Sequence, residues 1–272
     1  MKIAALQMVS TPVVEENLRT ARNLLLQAAD QGAELVALPE YFCAMGSSDT
    51  DKLAYAERWG DGPIQSALAD WAREAGVWLA AGTLPLVAQA PGHVRNTSLL
   101  FDPQGECVAR YDKVHLFRFA TGQEQYDESR VVEPGERPVT ATLTDRSGQT
   151  WILGLSVCYD LRFPELYRAH AAAGADLLLV PSAFTHTTGR AHWELLLRAR
   201  AVENQCYVLA PAQGGIHDNG RHTWGHSMLV DPWGQVQAQQ ATEGAGVVLG
   251  QMDRTYLRQV RQQLPALEHR VL

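Results

Sequence analysis

Apolar positions along this chain fall into two periods. Residues 13–31 carry apolar side chains at helical spacing and stop at Gly32, and residues 64–75 repeat the pattern up to Gly76. Short continuous apolar runs alternate with them: residues 1–8, Leu35-Val36-Ala37-Leu38, residues 77–81, residues 151–157, Leu177-Leu178-Leu179-Val180 and residues 207–210. Such runs predict buried strands. Two hairpins are predicted as well, residues 97–101 with 107–111 around Asp102-Pro103-Gln104-Gly105-Glu106, and residues 226–230 with 236–239 around Asp231-Pro232-Trp233-Gly234. Helices are predicted at 164–173, 191–204 and 254–263, a further short apolar run stands at 247–249, and residues 120–150 read as an irregular excursion with one strand. Alternating strands and helices predict an α/β layered fold, and nothing marks a domain boundary or a repeat, so residues 1–272 are expected to form a single domain.

Composition narrows the partners. The chain has 272 residues, 46% of them hydrophobic, enough for a real core, and its net charge of −7 with no block of Lys or Arg argues against nucleic acid or an anionic membrane surface. The first residues run directly into a strand-like pattern without the features of a signal peptide, and no apolar run approaches the roughly 18 residues of a spanning helix. A soluble, cytoplasmic protein with small-molecule or protein partners is expected. Cys43, Cys107, Cys158 and Cys206 form no CxxC pair, which suggests neither a zinc ribbon nor a disulfide framework.

Three side chains share one placement. Glu40 follows Leu35 to Pro39, Lys113 follows residues 107–112, and Cys158 ends the run 151–157. In open α/β sheets functional groups collect beyond the carboxyl ends of strands. A cysteine nucleophile needs a base or a cation beside it, because a free thiol is only a few per cent thiolate at neutral pH. Glu40 could take the proton, and Lys113 with the backbone N–H of Tyr159 could stabilise an oxyanion. Taken singly each has a plainer reading: Glu40 a surface or helix-terminal charge, Lys113 a solvated cation, Cys158 a core residue.

The blocks Leu38-Pro39-Glu40-Tyr41-Phe42, Tyr111-Asp112-Lys113-Val114-His115-Leu116-Phe117 and Cys158-Tyr159-Asp160-Leu161-Arg162-Phe163-Pro164-Glu165 resemble, in order and separation, the three signature blocks of the nitrilase (carbon-nitrogen hydrolase) superfamily. The resemblance covers essentially the whole chain. It implies a four-layer αββα sandwich, and a homodimer or higher homo-oligomer. It also implies Glu40 as general base, Lys113 as oxyanion partner and Cys158 as the nucleophile that forms a thioester. A second glutamate beside the lysine is implied too, best matched by Glu128, with Glu124 and Glu133 as rivals.

Within the superfamily the chain is similar to the deaminated glutathione amidase branch, through Pro181-Ser182-Ala183-Phe184, Ala191-His192-Trp193-Glu194, residues 197–201, residues 225–234 and the C-terminal Leu257-Arg258-Gln259-Val260-Arg261 with Leu264-Pro265. That implies no cofactor and a small amide with an anionic 2-oxo acid acyl group, released as 2-oxoglutarate from Cys-Gly; omega-amidase or N-carbamoyl amine hydrolase activity is the alternative. The anionic end needs a cation or N–H donors. Arg162 is a candidate, although an ion pair with Asp160 or Glu165 is the expected role for it, and Phe184 and Thr185 are expected to wall the pocket. Rival classes are a metal-dependent hydrolase using His217, His222 and His226 with His186 and His192, a cysteine protease, and a non-catalytic interaction protein. Loop or strand entry between His222 and His226 argues against the metal site, Glu and Lys partners in place of His against the protease, and the intact triad against a non-catalytic protein.

Overall fold

The computed structural model describes residues 1–120 and 125–271. Strand side chains alternate between two fully buried faces. In strand Lys2–Gln7, Ile3 and Ala5 face one core while Ala4 and Leu6 face another, and Leu35 and Ala37 divide from Val36 in the same way. This is why these strands read as unbroken apolar runs.

A sheet buried on both faces needs a layer on each side. On one side lie α1 (Val14–Asp30) and α2 (Pro63–Ala75), whose Leu24, Leu25, Leu68 and Trp71 pack with Ala4, Leu6 and Val36. On the other lies a second sheet, whose Leu153, Leu155, Leu177 and Leu179 share a core with Ile3, Ala5, Leu35 and Ala37. That sheet is covered in turn by α3 (Pro164–Ala172) and α4 (His186–Asn204) through Leu166, Tyr167, Trp193 and Leu197, and α5 (Arg254–Gln263) adds Leu257. The result is the four-layer αββα sandwich.

The first sheet has seven strands: Gly246–Gln251, Lys2–Gln7, Leu35–Ala37, Trp78–Ala80, Val94–Phe101 and Leu84–Val87 in that order, with Cys107–Asp112 also paired to Val94–Phe101. The second has six, in the order Val236–Gln239, Met228–Val230, Tyr207–Ala210, Leu177–Leu179, Thr150–Leu155, Val139–Thr144. Leu35–Ala37 runs parallel to both its neighbours, and so does Leu177–Leu179. The carboxyl ends of these central strands carry Glu40 in one sheet and face Cys158 in the other. Among the described residues no helix is long and apolar enough to cross a membrane.

Three departures from the sequence expectation have local causes. The fourth helix starts at His186 and not at 191, because Thr185 caps it, accepting from Thr188 N–H, and because Gly189, a poor helix former, is needed where Trp224 crosses. A Cβ on Gly189 would come within 2.2 Å of Trp224 Cβ. The segment 120–150 contains a second piece of order, the hairpin Arg118–Ala120 with Gln125–Asp127 leading into a 3₁₀ turn, Glu128–Arg130. The Gly-rich hairpin Gly214–Ile216 with His222–Trp224 likewise has no period-2 apolar signal.

Candidate active site

The chain reaches Cys158 through a turn that it would not adopt unaided. After strand Thr150–Leu155, pairing continues through Ser156 N to Leu179 O and Cys158 N to Pro181 O, and a 3₁₀ turn, Cys158–Arg162, then begins. Cys158 sits at φ 49°, in the left-handed region, which costs a non-glycine residue about 1–3 kcal/mol. Asp160, fully buried, holds the turn. Its Oδ2 accepts from Val157 N at 2.8 Å and Tyr111 OH at 2.7 Å, and its Oδ1 from His115 N at 3.0 Å and His115 Nδ1 at 2.7 Å.

Glu40 is fixed on every side. Its Oε1 accepts from Lys113 Nζ at 2.9 Å and Asn96 Nδ2 at 2.9 Å, and its Oε2 from the N–H of Ala183 at 3.0 Å. Tyr41 beside it adopts φ 55°, with its N–H donated to Thr83 Oγ1. Lys113 is anchored by its backbone, N–H to Asn96 O and carbonyl to Gly135 N–H. Only glycine allows that approach, since a Cβ at 135 would lie 2.0 Å from Asp112 O.

Lys113 lies between two carboxylates. Glu128 Oε2 is 2.8 Å and Oε1 3.0 Å from Nζ, and Glu128 also accepts from Tyr41 OH and the N–H of Phe117. Of its rivals, Glu133 is paired with Arg95 and the N–H of Ala90 instead, and Glu124 lies outside the described residues.

Burial works to depress the Lys113 pKa, but the fields of Glu128 and Glu40 outweigh it and hold the ammonium above its ordinary value. Burial would raise Glu128, yet Lys113 and the hydrogen bonds it accepts keep it below the usual carboxylate range. At Cys158 burial and the neighbouring Glu40 charge push the thiol well above its ordinary value, with Lys113 only partly opposing them. The resting sulfur therefore carries its proton, beside Glu40. A neutral thiol, a carboxylate able to receive its proton and a fixed cation meet at one point.

They open onto a cavity of about 310 Å³ whose walls include Tyr159, Arg162, Phe184 and Thr185. Arg162 does not hold Asp160, whose oxygens take the four donors above, nor is it ion-paired with Glu165. Its guanidinium instead lies 5.8 Å from the Tyr159 ring and 5.4 Å from the Phe184 ring, within 3.3 Å of His192 Nδ1. The other histidines have other partners: His217 lies between Ser10 O and Thr223 Oγ1, His222 pairs with Glu243 and stacks on His186, and His226 stacks on Trp224. Among the described residues no three metal-binding side chains gather. Asn96, Tyr41, Ala183, Asp160 and Arg221 belong to the site without having been singled out in the sequence. Only Tyr41, Asp160 and Ala183, which lie in the blocks Leu38-Pro39-Glu40-Tyr41-Phe42, Cys158 to Glu165 and Pro181-Ser182-Ala183-Phe184, carried any signal there.

Comparison with known proteins agrees with this geometry. The sequence model described as carbon-nitrogen hydrolase matches residues 2–262. A Synechocystis protein named deaminated glutathione amidase is 46% identical over 270 residues, 98% of this chain and 97% of that one. Among solved structures, a Saccharomyces cerevisiae member of branch 10 of the nitrilase superfamily superposes with a TM-score of 0.88 at 31% identity, covering 100% of this chain and 97% of that one. An amidase variant from Nesterenkonia sp. AN1, showing Michael addition of acrylamide at its active site cysteine, superposes with a TM-score of 0.79 at 31% identity over 97% of this chain and 98% of that one. Sequence, fold and site together place this chain in the carbon-nitrogen hydrolase family, as an enzyme that hydrolyses amide C–N bonds.

Proposed function

We propose that the chain is a single-domain thiol amidase that hydrolyses deaminated glutathione to 2-oxoglutarate and Cys-Gly through a thioester on Cys158. The observation that carries the reading is the buried Glu40 carboxylate, bound to Lys113 and lining one cavity with Cys158. The Cys158 proton passes to Glu40 as the sulfur attacks the amide carbon. The oxyanion is met by Lys113 and by the N–H of Tyr159, whose neighbours Cys158 and Asp160 have committed their own N–H groups to Pro181 and Val157. Glu40 returns the proton to the leaving nitrogen as the C–N bond breaks. Water then gives a proton to Glu40 and attacks the thioester, and that proton returns to sulfur as the acid leaves. Glu128 takes no proton; it fixes Lys113.

The substrate assignment rests on the relative of that name and on Arg162, which among the described residues has no carboxylate partner and faces the cavity with Thr185. The same reading makes the enzyme a cytoplasmic homodimer or higher homo-oligomer; four free cysteines suit a reducing compartment. A hydrolysis panel of deaminated glutathione, 2-oxoglutaramate, an N-carbamoyl amine and a simple nitrile tests it, with the first expected to show the highest kcat/KM. Cys158→Ala should remain folded and inactive, and wild type should accumulate a mass increment of the acyl group on Cys158. Substantial turnover by Cys158→Ala removes the nucleophile assignment, and preference for the nitrile removes the substrate.

A further inference from the structure

A second cavity of about 530 Å³ adjoins the first, and Tyr41, Phe117, Glu128 and Arg221 line both. It is the cationic equipment of this outer chamber that the reaction as derived leaves unused. Lys52, on the short 3₁₀ turn Asp51–Leu53, is half-buried with its Nζ 5.1 Å from the Tyr41 ring. Arg221 stands at the junction. Its guanidinium lies 5.1 Å from the Tyr126 ring and donates to Ala183 O at 3.3 Å, while its Nε is buried with no partner among the described residues.

Among the described residues no carboxylate lies within ion-pair distance of Lys52 or Arg221. The acids that line the chamber are Asp49, Asp127 and Glu128. Glu128 is committed to Lys113, Tyr41 and Phe117, and Asp127 accepts from Ser129. Burial lowers the Lys52 pKa, and the favourable fields of Glu128 and Asp49 oppose it only in part. Neither cation is ion-paired among the described residues, and Arg221, its buried Nε unpartnered, stands at the junction of the two cavities, where a charge-assisted contact to an anionic group can form.

We propose that this outer chamber is the leaving-group subsite, in which Arg221 and Lys52 receive the terminal carboxylate of the departing dipeptide. The inference rests on the proposed substrate, which carries an acid at both ends. With Arg162 assigned to the acyl carboxylate, a second carboxylate needs a second cation. A two-residue leaving group reaches at most about 7 Å beyond the scissile nitrogen, and Arg221, which lines both cavities, stands where the inner one meets the outer. An enzyme releasing only ammonia would have no use for the chamber, so Lys52 and Arg221 set specificity for a dipeptide leaving group.

The test compares the deaminated tripeptide with its C-terminal amide, and both with 2-oxoglutaramate, on the whole enzyme. Wild type should favour the free acid over the amide by roughly tenfold or more in kcat/KM, the discrimination expected of a charge-assisted contact. In Lys52→Met the discrimination should fall toward unity, mostly through KM, while the ratio of tripeptide to 2-oxoglutaramate hydrolysis falls with it. Arg221→Gln should do the same, and rescue by Arg221→Lys would separate charge from packing. Equal kcat/KM for acid and amide in wild type overturns the subsite while leaving the amidase reading intact, as does an unchanged discrimination in both variants. Failure of wild type to cleave either tripeptide, with 2-oxoglutaramate still consumed, instead removes the substrate assignment and the subsite together.

Discussion

Asp160→Asn is expected to damage both stability and chemistry, by amounts the structure allows to be worked out. The carboxylate takes two donors on each oxygen, Val157 N–H and Tyr111 OH on one, His115 N–H and Nδ1 on the other. An amide must turn its NH₂ toward one pair. The hydroxyl or the imidazole of that pair can reverse its role, but a backbone N–H cannot, so one buried N–H is orphaned in either orientation. That costs about 1–3 kcal/mol, and loss of charge from the remaining bonds adds about 1 kcal/mol. A total near 3 kcal/mol lowers the Tm by roughly 6–12 °C in a chain of this size. Because Val157 N–H tethers the turn that keeps Cys158 at positive φ, the acylation step should slow at least about tenfold with KM little changed. Calorimetry and single-turnover acylation check the two halves. A Tm within 2 °C of wild type, or a normal acylation rate, would refute the claim that Asp160 positions the nucleophile.

Glu128→Gln should destabilise the protein by about 3 kcal/mol at pH 7, the low end for breaking a buried pair, since Glu40 remains on Lys113. The folded pKa of Glu128 is depressed below 4.5, so its contribution is present above that pH and disappears as pH falls through the lower folded value. Denaturant unfolding at pH 7 and pH 4 should show the difference between wild type and variant shrinking; a pH-independent gap counts against it. Burial also lowers His170 and His217 below 6.5, so the unfolded chain takes up protons first and stability falls as pH drops beneath that value. Thermal unfolding between pH 7.5 and 5 should show a declining Tm, with a smaller slope in His170→Asn, and a flat profile would contradict the assignment.

The sequence by itself determined the layers. Strands buried on both faces must be apolar at every position, and helices covering them must carry one apolar stripe; those requirements are local, and residues 35–38, 177–180 and 13–31 display them openly. It also set Glu40, Lys113 and Cys158 at strand ends, where chemistry collects. Their meeting was decided only in three dimensions, by two sheets packed face to face, which bring Glu40 and Cys158 together from different layers. So were the choice of Glu128 over Glu133 and the release of Arg162 from Asp160, each a competition between partners distant in sequence. Asn96 and Arg221 had no signal because a single polar residue in a strand or loop looks the same whether it faces water or a carboxylate. The turn at Cys158 shows the division most clearly: the apolar run announced where the strand would end, while the strained φ of its last residue depends on donors from Tyr111 and His115, which only the fold brings to Asp160.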